Sequence, residues 1–179
     1  MRLPVKRIAL GGCLTALCLI LSYVESRIPF FFGVPGMKLG LTNLVVVFAL
    51  YTGSLSENQF TQSARPHFAW LINIMRILIA GFMFGNPFSI IYSLAGGILS
   101  LAVMSLLKKR GSFGITGVSV AGGCSHNIGQ LIVAALAVES YNVFFYLPPL
   151  LISGAVTGFI IGAVAMPVVG RLKGVFKED

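Results

Sequence analysis

The sequence has 179 residues, of which 56% are hydrophobic and only 10% are charged. Soluble domains carry about a quarter of their residues as charged side chains, so this chain has too few charges to cover a water-exposed surface. The composition therefore excludes an ordinary soluble domain. The formal net charge of +8 does not indicate nucleic-acid binding, because the basic residues lie in short clusters between apolar segments and form no stripe.

Six apolar segments approach the length of about 20 helical residues that a bilayer requires. They lie near residues 7–24, 39–55, 68–84, 88–107, 115–138 and 144–168. A segment in lipid must satisfy its own backbone hydrogen bonds, so all six are predicted to be α-helices. The expected fold is an all-α membrane protein of about six transmembrane helices in a single domain, residues 1–179.

The distribution of basic residues predicts the orientation of these helices. An even number of spans places both termini on one side, where most lysines and arginines also fall, whereas Arg27 and Lys38 fall on the other side. The positive-inside rule then predicts cytoplasmic termini. The first segment should remain as an anchor, because Tyr23–Arg27 offers no small-residue cleavage site.

Two connections differ from short loops. The stretch 28–36 is apolar but interrupted by Pro and Gly, so we expect it to fold back on the bundle as an outer cap containing Phe30–Phe32. The stretch 54–67 is polar and is predicted to be a cytoplasmic loop, with Pro66 near the start of the third helix.

Arg76 lies within the third segment, where a central arginine costs about 2.5–3.5 kcal/mol. Snorkelling or an internal ion pair could satisfy it, but only Glu25 and Glu139 among the acidic residues belong to the outer side. An anionic ligand group, or a hydrogen-bond network with amides and carbonyls, is the alternative.

The fifth segment contains a polar turn formed by His126, Asn127 and Gln130. His126 and Gln130 are four residues apart and share a helical face, with Asn127 beside them. Such side chains need partners in a membrane, either structural ones or a ligand. Two histidines without cysteine or carboxylate neighbours at ligand spacing do not indicate a metal site, and we predict no metal, no cofactor and no catalytic residue.

Further polar residues gather at the outer ends of the helices. Lys38 precedes the second segment and could serve as an interface anchor, Asn43 lies deeper in that segment, and Asn86 follows the third. We predict that these residues, Arg76 and the fifth-segment turn line one outward-facing pocket for a small molecule. Aromatic residues would cover the apolar part of the ligand.

Small residues form two ridges. Gly154, Gly158 and Gly162 recur at every fourth position of the last segment, and Gly12 and Ala16 have the same relation in the first. Such ridges allow close helix approach, either within the chain or against a partner membrane subunit.

Four stretches resemble a bacterial membrane family called the Gx transporter family, or heptaprenyl diphosphate synthase component I. They are Pro35–Asn43, Arg76–Leu78 with Phe84–Asn86, Tyr92–Gly97 and His126–Gln130. The likeness covers most of the chain except Ser56–Trp70, which leaves the beginning of the third helix open.

This resemblance implies two different functions. One is that of the substrate-binding subunits of energy-coupling-factor transporters in the bacterial cytoplasmic membrane. In such subunits, small residues corresponding to Gly12 and Ala16 dock onto a transmembrane coupling subunit, and partner ATPases supply energy. The other is a membrane accessory subunit of a prenyl diphosphate synthase. The chain could not catalyse that reaction alone, because Asp179 is its only aspartate, and clustered carboxylates are needed to bind magnesium diphosphate.

The main expectation is a transport subunit for an anionic or polar-headed small molecule, surrounded by lipid and working with energising partners. The synthase accessory role is the alternative, and a purely structural assembly role also stays open.

Overall fold

The computed structural model describes residues 3–27, 41–52 and 66–175. Within these ranges the regular structure is entirely helical, with a short 3₁₀ helix at Tyr141–Tyr146. The α-helices are α1 (Leu3–Arg27), α2 (Asn43–Thr52), α3 (Pro66–Phe84), α4 (Pro87–Arg110), α5 (Ile115–Val138) and α6 (Leu147–Val175).

Five stretches of the described chain are long and apolar enough to cross a membrane. They are Ala9–Arg27, His67–Phe84, Pro87–Arg110, Ile115–Val138 and Tyr141–Arg171. These five correspond to the first, third, fourth, fifth and sixth predicted segments. The chain is therefore an all-α polytopic membrane protein, as the composition predicts.

The second predicted segment corresponds to α2, which has 10 residues. A helix of this length extends about 15 Å, roughly half of the hydrocarbon core. The remaining residues of that segment lie outside the described ranges, so a full second span stays a prediction. The predicted cap at 28–36, with Phe30–Phe32, and residues 54–65 of the polar connection also lie outside them.

The helix boundaries follow local sequence signals. Pro66 begins α3, as its fixed φ favours the first helical position. Pro87 has the same role in α4, where the Asn86 side chain accepts a hydrogen bond from the Ser89 backbone N–H. Gly111 ends α4 in the left-handed region, with φ of 71°.

The glycine ridge of α6 packs against α5 of the same chain. A Cβ placed on Gly154 would lie 2.8 Å from the Gly123 carbonyl oxygen, and one on Gly158 would lie 2.6 Å from the Ser119 carbonyl oxygen. On Gly162 it would lie 2.6 Å from the Thr116 Cα. Of the two interpretations of this ridge, the structure confirms packing within the chain.

Helix α2 occupies the centre of the bundle. Val45, Val46 and Val47 are consecutive and each only 1% exposed, so neighbouring helices cover most of α2. The face formed by Leu44, Phe48 and Tyr51 is half-buried. Its last turn is held by Lys108 near the end of α4, whose Nζ donates to the Leu50 carbonyl oxygen at 2.6 Å. We call this side of the bundle, where Lys108, Lys109 and Arg110 end α4, the basic end.

Candidate functional site

Arg76 lies near the middle of α3, and its side chain is only 6% exposed. Its guanidinium donates hydrogen bonds to three neutral oxygens. Nε donates to Asn73 Oδ1 at 3.0 Å, Nη2 donates to Asn43 Oδ1 at 3.3 Å, and Nη1 donates to Thr42 Oγ1. The arginine therefore joins the middle of α3 to the start of α2, and we call these four residues the arginine cluster.

The position of the cluster follows from the two ends of α2. Asn43 begins the helix at the level of Arg76, and Leu50 contacts Lys108 at the basic end. Residues 41 and 42 form a turn and do not extend the helix. Helix α2 thus starts near the middle of the bundle and runs to one end, so its amino terminus and Arg76 share the same depth.

A carboxylate from α1 contributes to the electrostatic surroundings of this cluster. Glu25 is 6% exposed, and its charge attracts the Arg76 guanidinium. Arg76 is therefore partly balanced by an acidic side chain, while the three oxygens that accept its hydrogen bonds belong to neutral side chains.

The polar turn of α5 divides between two neighbouring helices. Asn127 Nδ2 donates to the Leu150 carbonyl oxygen of α6 at 2.7 Å. His126 instead faces α4, since a Cβ on Gly96 would lie 2.9 Å from the His126 Nδ1 atom. Gln130 is 1% exposed, and neither amide atom has a hydrogen-bond partner within the described part of the chain. An unsatisfied buried polar group of this kind costs about 1–3 kcal/mol.

A small cavity connects the start of α2 with the polar turn of α5. Its lining includes Asn43, His126, Asn127 and Ser119, and its volume of about 10 Å³ has room for roughly one water molecule. Ligand sites usually enclose about 300–1,000 Å³. A larger ligand would therefore enter this region only if the helices separated.

The structure thus brings together some of the predicted site residues. Asn43 contacts Arg76 directly and shares the cavity with His126 and Asn127. Asn86 lies apart from this group, because it is exposed and caps α4 beyond the end of α3. The last residue of α3, Phe84, is itself about 12 Å along the helix from Arg76. Lys38 lies outside the described residues.

Three members of this region were not among the predicted site residues, namely Thr42, Asn73 and Glu25. Asn73 could have been predicted from the sequence. Positions three apart on a helix are neighbours, and Arg76 needed a polar partner. Glu25 could also have been predicted, because it is the one acidic residue at the outer end of the first predicted helix. Thr42 could not have been identified from the sequence, because it contacts Arg76, a residue 34 positions further along the chain.

The two residues predicted to dock a partner lie on the outer surface of α1. Gly12 and Ala16 are both exposed, and a Cβ on Gly12 would meet nothing within 4 Å. No group of three or more His, Cys, Asp and Glu side chains that could hold a metal ion occurs among the described residues.

Comparison with known proteins identifies a family for most of the chain. The sequence model described as heptaprenyl diphosphate synthase component I matches residues 14–168. This range includes the arginine cluster, Glu25 and the polar turn of α5, whereas Gly12 lies outside it. No curated protein and no solved structure matches the chain.

Proposed function

The chain belongs to the heptaprenyl diphosphate synthase component I family, and from this premise we propose that it is a non-catalytic membrane subunit of a prenyl diphosphate synthase. It binds the anionic head of a prenyl diphosphate at Arg76 and leaves chain elongation to a partner. The family description supports the existence of a partner subunit, because the words 'component I' name one part of a larger synthase.

The acidic residues of the chain support a non-catalytic role. The sequence has five acidic residues, of which Asp179 is the only aspartate. Prenyl elongation requires several carboxylates close together to hold magnesium ions and diphosphate. A partner subunit would supply these carboxylates.

The observation that carries the proposal is the arginine cluster. A cation in the middle of a membrane protein is expensive and usually has a functional reason. Direct contacts with neutral oxygens orient the guanidinium and preserve its charge, so it can attract a diphosphate. The apolar helices around it suit a prenyl tail. Of the remaining predicted residues, those that would orient the head group are Lys38, Asn43, His126, Asn127 and Gln130, whereas Asn86 lies apart and caps α4.

Substitution of Arg76 by Gln tests the proposal. Gln removes the charge and retains hydrogen-bonding atoms, so the protein should fold. The full chain in lipid nanodiscs should lose affinity for farnesyl diphosphate by at least about thirtyfold, equivalent to about 2 kcal/mol for a buried charge pair. Arg110→Gln at the exposed basic end makes the same charge change and should bind like wild type. Equal affinity of Arg76→Gln and wild type would refute the proposal.

A transport subunit is the second candidate function, and the depth of the arginine cluster favours it. Transporters often bind anionic groups near the membrane midplane, at the amino termini of short helices. Helix α2 begins at such a depth beside Arg76. In this role, exposed Gly12 and Ala16 would dock onto a coupling membrane subunit, and partner ATPases would drive transport.

The two functions differ in their partners. Affinity purification of the full chain from its native membrane should recover a prenyl synthase subunit if the first proposal is correct. Recovery of a coupling membrane subunit with ATPases, and no synthase, would replace it with the second. In either case we propose a bacterial cytoplasmic membrane location with both termini in the cytoplasm, because the basic end carries the excess of positive charge.

A further inference from the structure

Asn73 lies three residues before Arg76 on α3 and is completely buried. The two polar atoms of its side chain have different surroundings. Oδ1 accepts the hydrogen bond from Arg76 Nε at 3.0 Å. Nδ2 has no hydrogen-bond partner in the described part of the chain, and a Cβ placed on Gly97 of α4 would lie 2.9 Å from it. The amide group therefore packs tightly against bare backbone of α4.

This packing restricts the orientation of the Asn73 side chain. Because Gly97 has no side chain, the amide fits between α3 and α4 with Oδ1 towards the guanidinium. Turning the amide over would place its NH₂ group against Arg76, where two donors would oppose each other. The fixed Oδ1 in turn holds the Nε edge of Arg76, while Thr42 and Asn43 hold the two terminal nitrogens.

The chemical type of residue 73 is informative. A buried arginine with a purely structural role is best satisfied by a carboxylate, which provides opposite charge as well as an acceptor. An amide supplies the acceptor and leaves the positive charge in place. The three oxygens that accept hydrogen bonds from the guanidinium belong to neutral side chains, so these contacts do not cancel its charge.

We propose that Asn73 is a positioning residue that orients Arg76 for an anionic ligand and, by being neutral, keeps the arginine able to bind it. This inference rests on the proposed anion binding at Arg76. It adds that residue 73 must be neutral, because a carboxylate there would occupy the guanidinium in place of the ligand.

The test compares Asn73→Asp and Asn73→Ala with wild type, using the full chain in lipid nanodiscs. Binding of farnesyl diphosphate is measured by calorimetry, thermal unfolding is recorded on the same samples, and farnesol provides an uncharged probe. Asn73→Asp should unfold at or above the wild-type temperature, since the introduced carboxylate gains an ion pair with Arg76. Its affinity for farnesyl diphosphate should nevertheless fall at least tenfold, while its affinity for farnesol stays unchanged.

Asn73→Ala separates orientation from charge. It retains the charge of Arg76 and removes the oriented acceptor, so both affinity and unfolding temperature should fall. Wild-type affinity in Asn73→Asp would overturn the inference and leave anion binding at Arg76 in place. A fall in affinity that parallels a fall in unfolding temperature for both variants would also overturn it, since it would indicate a structural role. Failure of wild type to bind farnesyl diphosphate would overturn the proposed function and this inference together.

Discussion

Single glycines determine how closely α5 and α6 approach each other. Gly123 faces the carbonyl group of Gly154, and a Cβ there would collide with the α6 backbone. Backbone cannot move aside as a flexible side chain can, so even one added methyl group should separate the helices. The same reasoning does not apply to glycines with open space around them, such as Gly170 near the end of α6.

We therefore expect opposite effects from two glycine-to-alanine substitutions. Gly123→Ala should destabilise the protein by about 1–3 kcal/mol through overpacking. Gly170→Ala should be neutral or stabilise it by up to about 1 kcal/mol through better helix propensity. Thermal unfolding in detergent, followed by circular dichroism, measures both. Equal unfolding temperatures for the two variants would contradict the packing of α5 on α6.

At this scale the sequence identifies unusual residues better than it identifies their partners. Arg76 stands out because a charge in an apolar segment is costly. Its contacts with Thr42 and Asn43 join positions 34 and 33 residues apart, and local spacing carries no information about them. The same limit explains why the polar turn of α5 could be found, but not its division between α4 and α6.

Among the helices, α2 differs most from its sequence-based prediction. Hydropathy detects a continuous apolar stretch and predicts a span, whereas the helix itself begins at Asn43 after a turn at residues 41 and 42. Thr42 and Asn43, where the helix starts, accept hydrogen bonds from Arg76, and an average over apolar residues does not register such contacts. The five long helices could be predicted because length and apolarity are enough to identify a transmembrane helix.

The anchoring of α2 at the basic end gives a prediction for Lys108. Lys108→Met should remove the hydrogen bond to the Leu50 carbonyl group and the contact of Nζ with the Tyr51 ring, 4.8 Å from its centroid. We expect a loss of about 1.5–3 kcal/mol, as for other hydrogen bonds to charged groups. Chemical unfolding followed by the fluorescence of Trp70, which packs against the same apolar core, measures this loss.

Lys109→Met is the matched control, because Lys109 is adjacent and exposed. It removes the same charge from the basic end without touching α2, and it should unfold like wild type. If both variants lose the same stability, the effect comes from net charge, and the anchoring role of Lys108 is wrong.

For the whole molecule, we predict the direction of insertion from the distribution of charge. The connection between α4 and α5 adjoins the basic end, and the connection between α5 and α6 lies at the opposite end. With Cys13, Cys18 and Cys124 replaced by Ala, we expect Asn142→Cys to react with a membrane-impermeant maleimide in intact cells. Ser112→Cys should react only after permeabilisation, because the basic end should face the cytoplasm.

Labelling of Ser112→Cys in intact cells would reverse the orientation and contradict the proposal that both termini are cytoplasmic. The helical architecture would be unaffected, because it follows from the length and apolarity of the helices, whichever side faces the cytoplasm.

The two cationic anchors of α2 also constrain how the protein is made. Arg76 is synthesised 33 residues after its hydrogen-bond partner Asn43. Lys108 is synthesised 58 residues after its partner Leu50. Until then α2, a helix of 10 residues, lacks both of these hydrogen bonds. We therefore expect α2 to reach its final position late, after α3 and α4 have been inserted. A nascent chain that is halted before Lys108 should then lack the packed centre of the bundle.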